Sequence, residues 1–204
     1  MITILYLVRH GRTSLNSKGC FRGNVDIPLS TVGKKDVEEA ADFLESIEAD
    51  PVFIGTSDKK RAVETSDILA GRFNIPVEQT HLLRALNVGK FSGQPRSDEN
   101  VKELETYLAD PETVIPDGES LQDFRERVVP TLEECFQLAA SNGVGIVTCH
   151  SSIVHEAGTQ LFGSHTSLLV EPGGVVAIGL LDGQPHAEAI FKKLKPVQGA
   201  DTIS

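Results

Sequence analysis

The sequence predicts an α/β fold: a three-layer α/β/α sandwich with a mostly parallel central sheet and helices on both faces. Three observations carry this. Short apolar runs, at 2–8, 52–56 and 145–149, alternate with segments whose apolar residues recur at helical spacing. The runs Ile2-Thr3-Ile4-Leu5-Tyr6-Leu7-Val8 and Gly145-Ile146-Val147-Thr148-Cys149 are nearly all apolar, as strands covered on both faces are. Asp182-Gly183 stands between two further apolar runs as a turn signal and predicts a hairpin that closes the sheet.

The elements follow in order. The first strand is 2–8. A helix over 31–47 is predicted from Val32, Val37, Ala40, Ala41, Leu44 and Ile47, with Ser30 or Thr31 as its cap. The second strand is 52–56. Ala62, Thr65, Ile68 and Leu69 share one face of a helix over 58–72, and a short strand follows Pro76. An acidic helix is expected over 98–109, then a turn at Pro116-Asp117-Gly118. A long amphipathic helix spans 119–140, with Glu119 and Glu126 placing negative charge near its start. Strand 145–149 leads into a helix over 152–162. Gly173-Gly174 opens strand 175–181, and 187–191 completes the sheet. The basic-then-polar tail from Lys192, and above all 195–204, is expected to fray.

Length and composition bound the function. The 204 residues suit a single domain, 1–204, with a short helical insertion at about 92–118. The net charge of −10 argues against nucleic acid as a partner, and any anion site must be a local basic pocket working against that field. No apolar run is long enough to span a membrane, and no signal peptide is expected. Cys20, Cys135 and Cys149 are odd in number, widely spaced and without CxxC spacing, which disfavours a disulfide frame or a zinc site and points to the cytoplasm.

Chemistry is concentrated where strands end. Arg9-His10-Gly11 follows the first strand, and the carboxyl ends of strands are where ligands bind in open α/β sheets. A guanidinium there can clamp an anion and a neutral imidazole can attack it. Cys149-His150-Ser151-Ser152 repeats the pattern, and the helix N-terminus that follows adds backbone donors for phosphate. Ser57-Asp58-Lys59-Lys60-Arg61-Ala62-Val63-Glu64-Thr65 follows the second strand and puts Arg61 in the first turn of a helix at the same edge. Alone, each has a plain structural alternative: a surface Arg and His at a strand end, or a His capping a helix. Three such segments together favour a site.

These segments, with Arg12-Thr13-Ser14-Leu15-Asn16, Phe21-Arg22-Gly23, Asp26-Ile27-Pro28-Leu29-Ser30, Gly89-Lys90-Phe91-Ser92-Gly93 and Gly118-Glu119-Ser120, resemble the histidine phosphatase superfamily in its phosphoglycerate mutase-like branch. They occur in family order over nearly the whole chain. The resemblance implies a cytosolic phosphoryl-transfer enzyme that acts on a small phosphorylated metabolite or other phosphate ester and needs neither metal nor cofactor. It implies His10 as the nucleophile that becomes phosphohistidine, Arg9 and Arg61 as clamps on the phosphoryl oxygens, and His150 completing the pocket. Asn16, Thr13, Arg22, Gly23 and Ser151 are the substrate-binding candidates, with a solvated surface charge as the alternative for Arg22.

One position departs from the family. Where the family usually carries the glutamate that protonates the leaving group, the alignment on Gly89 places Ala85. General acid catalysis is worth about 10²–10⁴-fold, so its loss weighs most on alkyl phosphates. Glu119, Asp117 and a water held by Asn87 are candidate substitutes, with Glu119 more simply read as a helix N-terminal carboxylate. Three functions are compatible: a phosphatase for small phosphomonoesters, favoured because true mutases of the family carry a longer lid than 92–118; a phosphoglycerate mutase; and a phosphate-ligand binding or regulatory module with weak turnover.

Overall fold

The computed structural model describes residues 2–161 and 168–193. Six strands form one sheet: β1 (Ile2–Arg9), β2 (Phe53–Thr56), β3 (Val77–Gln79), β4 (Gly145–Cys149), β5 (Val170–Leu181) and β6 (Gln184–Lys193). Their order is β3-β2-β4-β1-β5-β6. The first four in that order run parallel, and β5 and β6 are antiparallel additions, so the sheet is mixed. The helices are α1 (Ser14–Ser17), α2 (Thr31–Ser46), α3 (Lys60–Phe73), α4 (Asp98–Leu108), α5 (Leu121–Asn142) and α6 (Ser151–Glu156).

Two apolar layers follow from the strand period of two. Leu5 and Leu7 of β1 pack with Phe124, Val128 and Leu132 of α5. Tyr6 and Val8, which point the other way, pack with Val37, Ala40, Ala41 and Leu44 of α2 and Leu69 of α3. Each fully buried Leu or Val contributes about 1.5–3 kcal/mol, so both faces of the sheet are held by the same term.

Several boundaries differ from those the sequence suggests, for local reasons. The long helix starts at Leu121 rather than 119. Ser120 caps it, its hydroxyl accepting from Asp123 N at 3.0 Å while Asp123 Oδ2 accepts from Ser120 N at 3.2 Å. Glu119 therefore lies outside the helix. After β4 the α-helix stops at Glu156 and continues over Ala157–Leu161 as a wider π-type turn. Lys192 is part of β6 rather than of a tail, its Nζ pairing with Asp36 at 3.3 Å and Glu39 at 2.8 Å. The expected fraying over 195–204 lies outside the described residues. The acidic helix of segment 92–118 is α4, whose cap is Ser97, accepting from Asn100 N at 3.2 Å.

Candidate active site

The site is a consequence of strand order. β1 and β4 are parallel neighbours with Arg9 opposite Cys149, and His10 N donates to the Cys149 carbonyl at 3.0 Å. The next residue on each strand is therefore a histidine, and the His10 and His150 rings lie 5.3 Å apart between centroids, tilted by 60°. β2, the other neighbour of β4, delivers Ser57, whose Oγ is 2.9 Å from His150 Nε2. Arg61 enters from the first turn of α3 and is fully buried. Gly11 is required by close approach, since a Cβ there would collide with the Gly33 carbonyl at the start of α2.

The His10 ring is held in one tautomer. Its Nδ1 lies 2.8 Å from the Gly11 carbonyl. A carbonyl only accepts, so Nδ1 carries the proton and Nε2 presents a lone pair. Burial pushes the His10 pKa well below 6.5, and repulsion from the guanidiniums, Arg61 first and then Arg22 and Arg9, pushes it further. Burial, then Arg61, Arg22, Arg127 and Arg9, do the same to His150. Both imidazoles are therefore neutral at neutral pH.

The arginines are pulled down by the same burial, Arg9 and Arg61 to about 10 and Arg22 to about 9. All stay protonated at neutral pH. Arg61 donates from Nη1 to Val25 O at 2.6 Å and from Nη2 to Gly23 O at 2.9 Å, which ties the 22–25 loop to the pocket. Arg9 Nη1 donates to Val170 O at 2.6 Å. The Nε atoms of Arg9 and Arg61 and Nδ1 of His150 are buried without a hydrogen-bond partner among the described residues. Buried polar groups are nearly always partnered, which sets this cluster apart from the rest of the interior.

One cavity is lined by His10, Arg22, Gly23, Arg61, His150 and Ser151, six of the nine residues singled out from sequence, together with Phe21, Ala85, Leu86, Val88 and Ser152. Arg9 stands beside it and reaches His10 through its charge. Thr13 and Asn16 do not line it. Asn16 Oδ1 instead accepts from Thr13 N and Oγ1, both at 2.9 Å, and caps α1. His150 occupies the residue before α6, yet its ring bonds to Ser57 rather than capping the helix. Sequence reasoning passed over Ser57 and Ser152. Ser57 was recoverable, because it is the first residue past β2 at the edge that holds both histidines. Ser152 Oγ accepts from Leu86 N at 3.1 Å, a pairing across 66 residues that has no local signal.

The wall at Ala85 is built by Arg127 of α5. Its guanidinium donates to the carbonyls of Leu82 and Arg84, each at 2.8 Å, and of Ala85 at 2.9 Å. It also pairs with Glu119 at 2.7 and 3.0 Å. Glu119 Oε1 accepts in addition from Asn87 N at 2.7 Å. Glu119 is thus consumed in a clamp on the 82–87 loop.

The family model described as the histidine phosphatase superfamily, branch 1, matches residues 5–190. The uncharacterized phosphatase PhoE of Bacillus subtilis is 26% identical over 167 residues, covering 82% of this chain and 81% of its own. A 2,3-bisphosphoglycerate-dependent phosphoglycerate mutase of Cytophaga hutchinsonii is 26% identical over 197 residues, with 94% and 89% covered. In structure, mycobacterial glucosyl-3-phosphoglycerate phosphatase superposes with a TM-score of 0.77 at 20% identity over 95% of this chain and 100% of that one. YhfR of Bacillus stearothermophilus gives a TM-score of 0.75 at 22% identity, covering 91% and 95%. These two likenesses speak for the fold. The match over nearly the full length of the chain, on a pocket that pairs two strand-end histidines with buried arginines, shows that this protein belongs to the histidine phosphatase superfamily, branch 1.

Proposed function

We propose that the chain is a phosphatase of small phosphomonoesters that works through a phosphohistidine on His10, in the cytoplasm. The observation that carries the reading is the 2.8 Å bond from His10 Nδ1 to the Gly11 carbonyl, which leaves Nε2 unprotonated beside Arg61 and His150. Nε2 attacks phosphorus and the bond from phosphorus to the leaving oxygen breaks, the electron pair departing on that oxygen. Water then attacks the phosphohistidine, the P–N bond breaks, its electrons return to Nε2, and inorganic phosphate leaves. Negative charge on the equatorial oxygens would be met by Arg9 and Arg61 and by a hydrogen bond from His150, with little reorganisation during reaction. With Ala85 at the leaving-group wall and Glu119 engaged by Arg127, leaving groups that depart without a proton are favoured: aryl phosphates, acyl phosphates and phosphoramidates.

The protein should hydrolyse p-nitrophenyl phosphate between about pH 5 and 8. No turnover at high enzyme concentration, with vanadate still bound, would favour the binding-module reading instead. The mutase relative, aligned over most of this chain, supports a second reading. It is tested by conversion of 3-phosphoglycerate to its 2-isomer with and without a bisphosphate primer.

A further inference from the structure

The cavity at the two histidines has a neighbour. A second cavity, of about 140 Å³, has His81, Arg84, Ala85, Asn87, Glu119 and Arg127 among its lining residues. Ala85 lines both, so the wall position that lacks a carboxyl is also where the two cavities meet. The second cavity is polar and large enough to hold several waters.

Most groups on that lining are already engaged. Arg84 Nε donates to Asp58 Oδ1 at 2.6 Å, a bond that raises the Arg84 pKa and keeps its guanidinium protonated. Glu119 accepts from Arg127 and from Asn87 N, both at 2.7 Å, and Arg127 also holds three carbonyls. The amide of Asn87 has no acidic proton, and its Oδ1 accepts from Gly89 N at 3.2 Å. Asp117 lines neither cavity. His81 is left, exposed to solvent and in neither of these ion pairs. Imidazole is the side chain suited to give and take a proton near neutral pH. The charges that share the cavity with the ring balance: Arg84 and Arg127 against Glu119 and the Asp58 behind Arg84. The backbone that carries His81 is fixed. Thr80 Oγ1 accepts from Leu82 N at 3.2 Å, Arg84 N donates to His81 O at 3.1 Å, and Arg127 ties the Leu82 and Arg84 carbonyls to α5.

Resting on the phosphatase reading, we propose that His81 supplies, through water in this second cavity, the proton that the leaving oxygen takes up past Ala85. As the bond from phosphorus to the leaving oxygen breaks, its electron pair stays on that oxygen, which takes a proton from the adjacent water while that water takes one from protonated His81. The alcohol departs and the ring is left neutral. In the second half, the water that attacks the phosphohistidine passes a proton back along the same file to His81, so the ring ends as it began and the net reaction is hydrolysis. A donor that acts across water is weaker than a carboxyl held at the wall, so alkyl esters still lag behind aryl ones.

The test measures kcat/KM, which reports the step that releases the alcohol, for ethyl phosphate and p-nitrophenyl phosphate in wild type and in His81→Gln. The variant should slow ethyl phosphate by roughly 10- to 100-fold and leave p-nitrophenyl phosphate nearly unchanged. In wild type, kcat/KM for ethyl phosphate should fall as pH rises through about 6 to 8, where an imidazolium gives up its proton, and that limb should be missing for the aryl ester and in H81Q. Equal slowing of both esters would show that His81 only supports the 82–87 loop, and overturns the proposal. So does an unchanged rate on ethyl phosphate, or a basic limb that persists in H81Q. The wild-type pH profiles need no variant: the same limb on both esters, or on neither, overturns the proposal by itself. Wild type that hydrolyses the aryl ester alone also overturns it and leaves the phosphatase reading standing, whereas hydrolysis of neither ester overturns both.

Discussion

In the proposed reaction His10 can attack only while its imidazole is neutral and its Nε2 lone pair is free. Burial and the surrounding guanidiniums secure the first condition, and the Gly11 carbonyl secures the second. The next residue-level question is the proton for the leaving group, and Ala85 frames it. Ala85→Glu places a carboxyl at the cavity wall. If the missing acid limits the rate, this variant should speed hydrolysis of alkyl phosphates by up to roughly 10²-fold while aryl phosphates change little. Parallel rate measurements on ethyl phosphate and p-nitrophenyl phosphate check it; an equal effect on both would show that another group already donates. Much of this was legible in the sequence. Arg9-His10 and His150 stand at the ends of apolar runs, and Arg61 follows a third. The place of Arg22 in the cavity wall was not legible from composition or spacing, because it depends on how the 22–25 loop is tied down by Arg61.

At the level of elements, the 82–87 loop at the cavity wall is clamped by one side chain of α5 in addition to its bonds to Ser152 and Glu119. Arg127 satisfies three carbonyls of the 82–87 loop and the Glu119 carboxylate. Arg127→Met should lower stability by about 2–3 kcal/mol, since it strands carbonyls and a half-buried carboxylate together. Denaturant midpoints measure this, and a shift below about 0.5 kcal/mol, within the range of an ordinary surface change, would show that the clamp is not what fixes the loop. The sequence places Glu119 at the start of a helix and offers it as a substitute acid. The structure gives it to Arg127 across a capped turn, because Ser120 takes the capping role and leaves Glu119 outside. Helix periodicity located α2, α3 and α5 to within a few residues. It did not show that the helix after His150 would widen at Ala157, because the one local signal there, Gly158, does not distinguish a wider turn from a helix end.

Over the whole molecule, burying several uncompensated groups at one sheet edge has a stability cost that depends on pH. The folded-state pKa values of His10 and His150 lie well below 6.5, whereas in the unfolded chain both titrate near the ordinary value. Below about pH 6.5 the unfolded state therefore binds more protons than the folded one, so stability is full above that pH and falls as pH drops toward the folded-state values. Unfolding of wild type between about pH 7.5 and 5.5 should show this slope, and His10→Asn/His150→Asn should flatten it. An unchanged slope in the double variant would place the titration elsewhere. The α/β alternation and the closing hairpin were readable along the chain. The order β3-β2-β4-β1-β5-β6 came from the fold, and it is this order that turns two distant strand-His motifs into one pocket.

The central claim, that His10 Nε2 takes the phosphoryl group, is tested most directly by acid-free rapid quench of the protein with p-nitrophenyl phosphate, followed by mapping of the phosphorylated peptide at alkaline pH. The account predicts an acid-labile, alkali-stable phosphate on His10 in wild type and no phosphoenzyme in His10→Ala. A phosphoenzyme that persists in His10→Ala, or that maps to another residue in wild type, would contradict it.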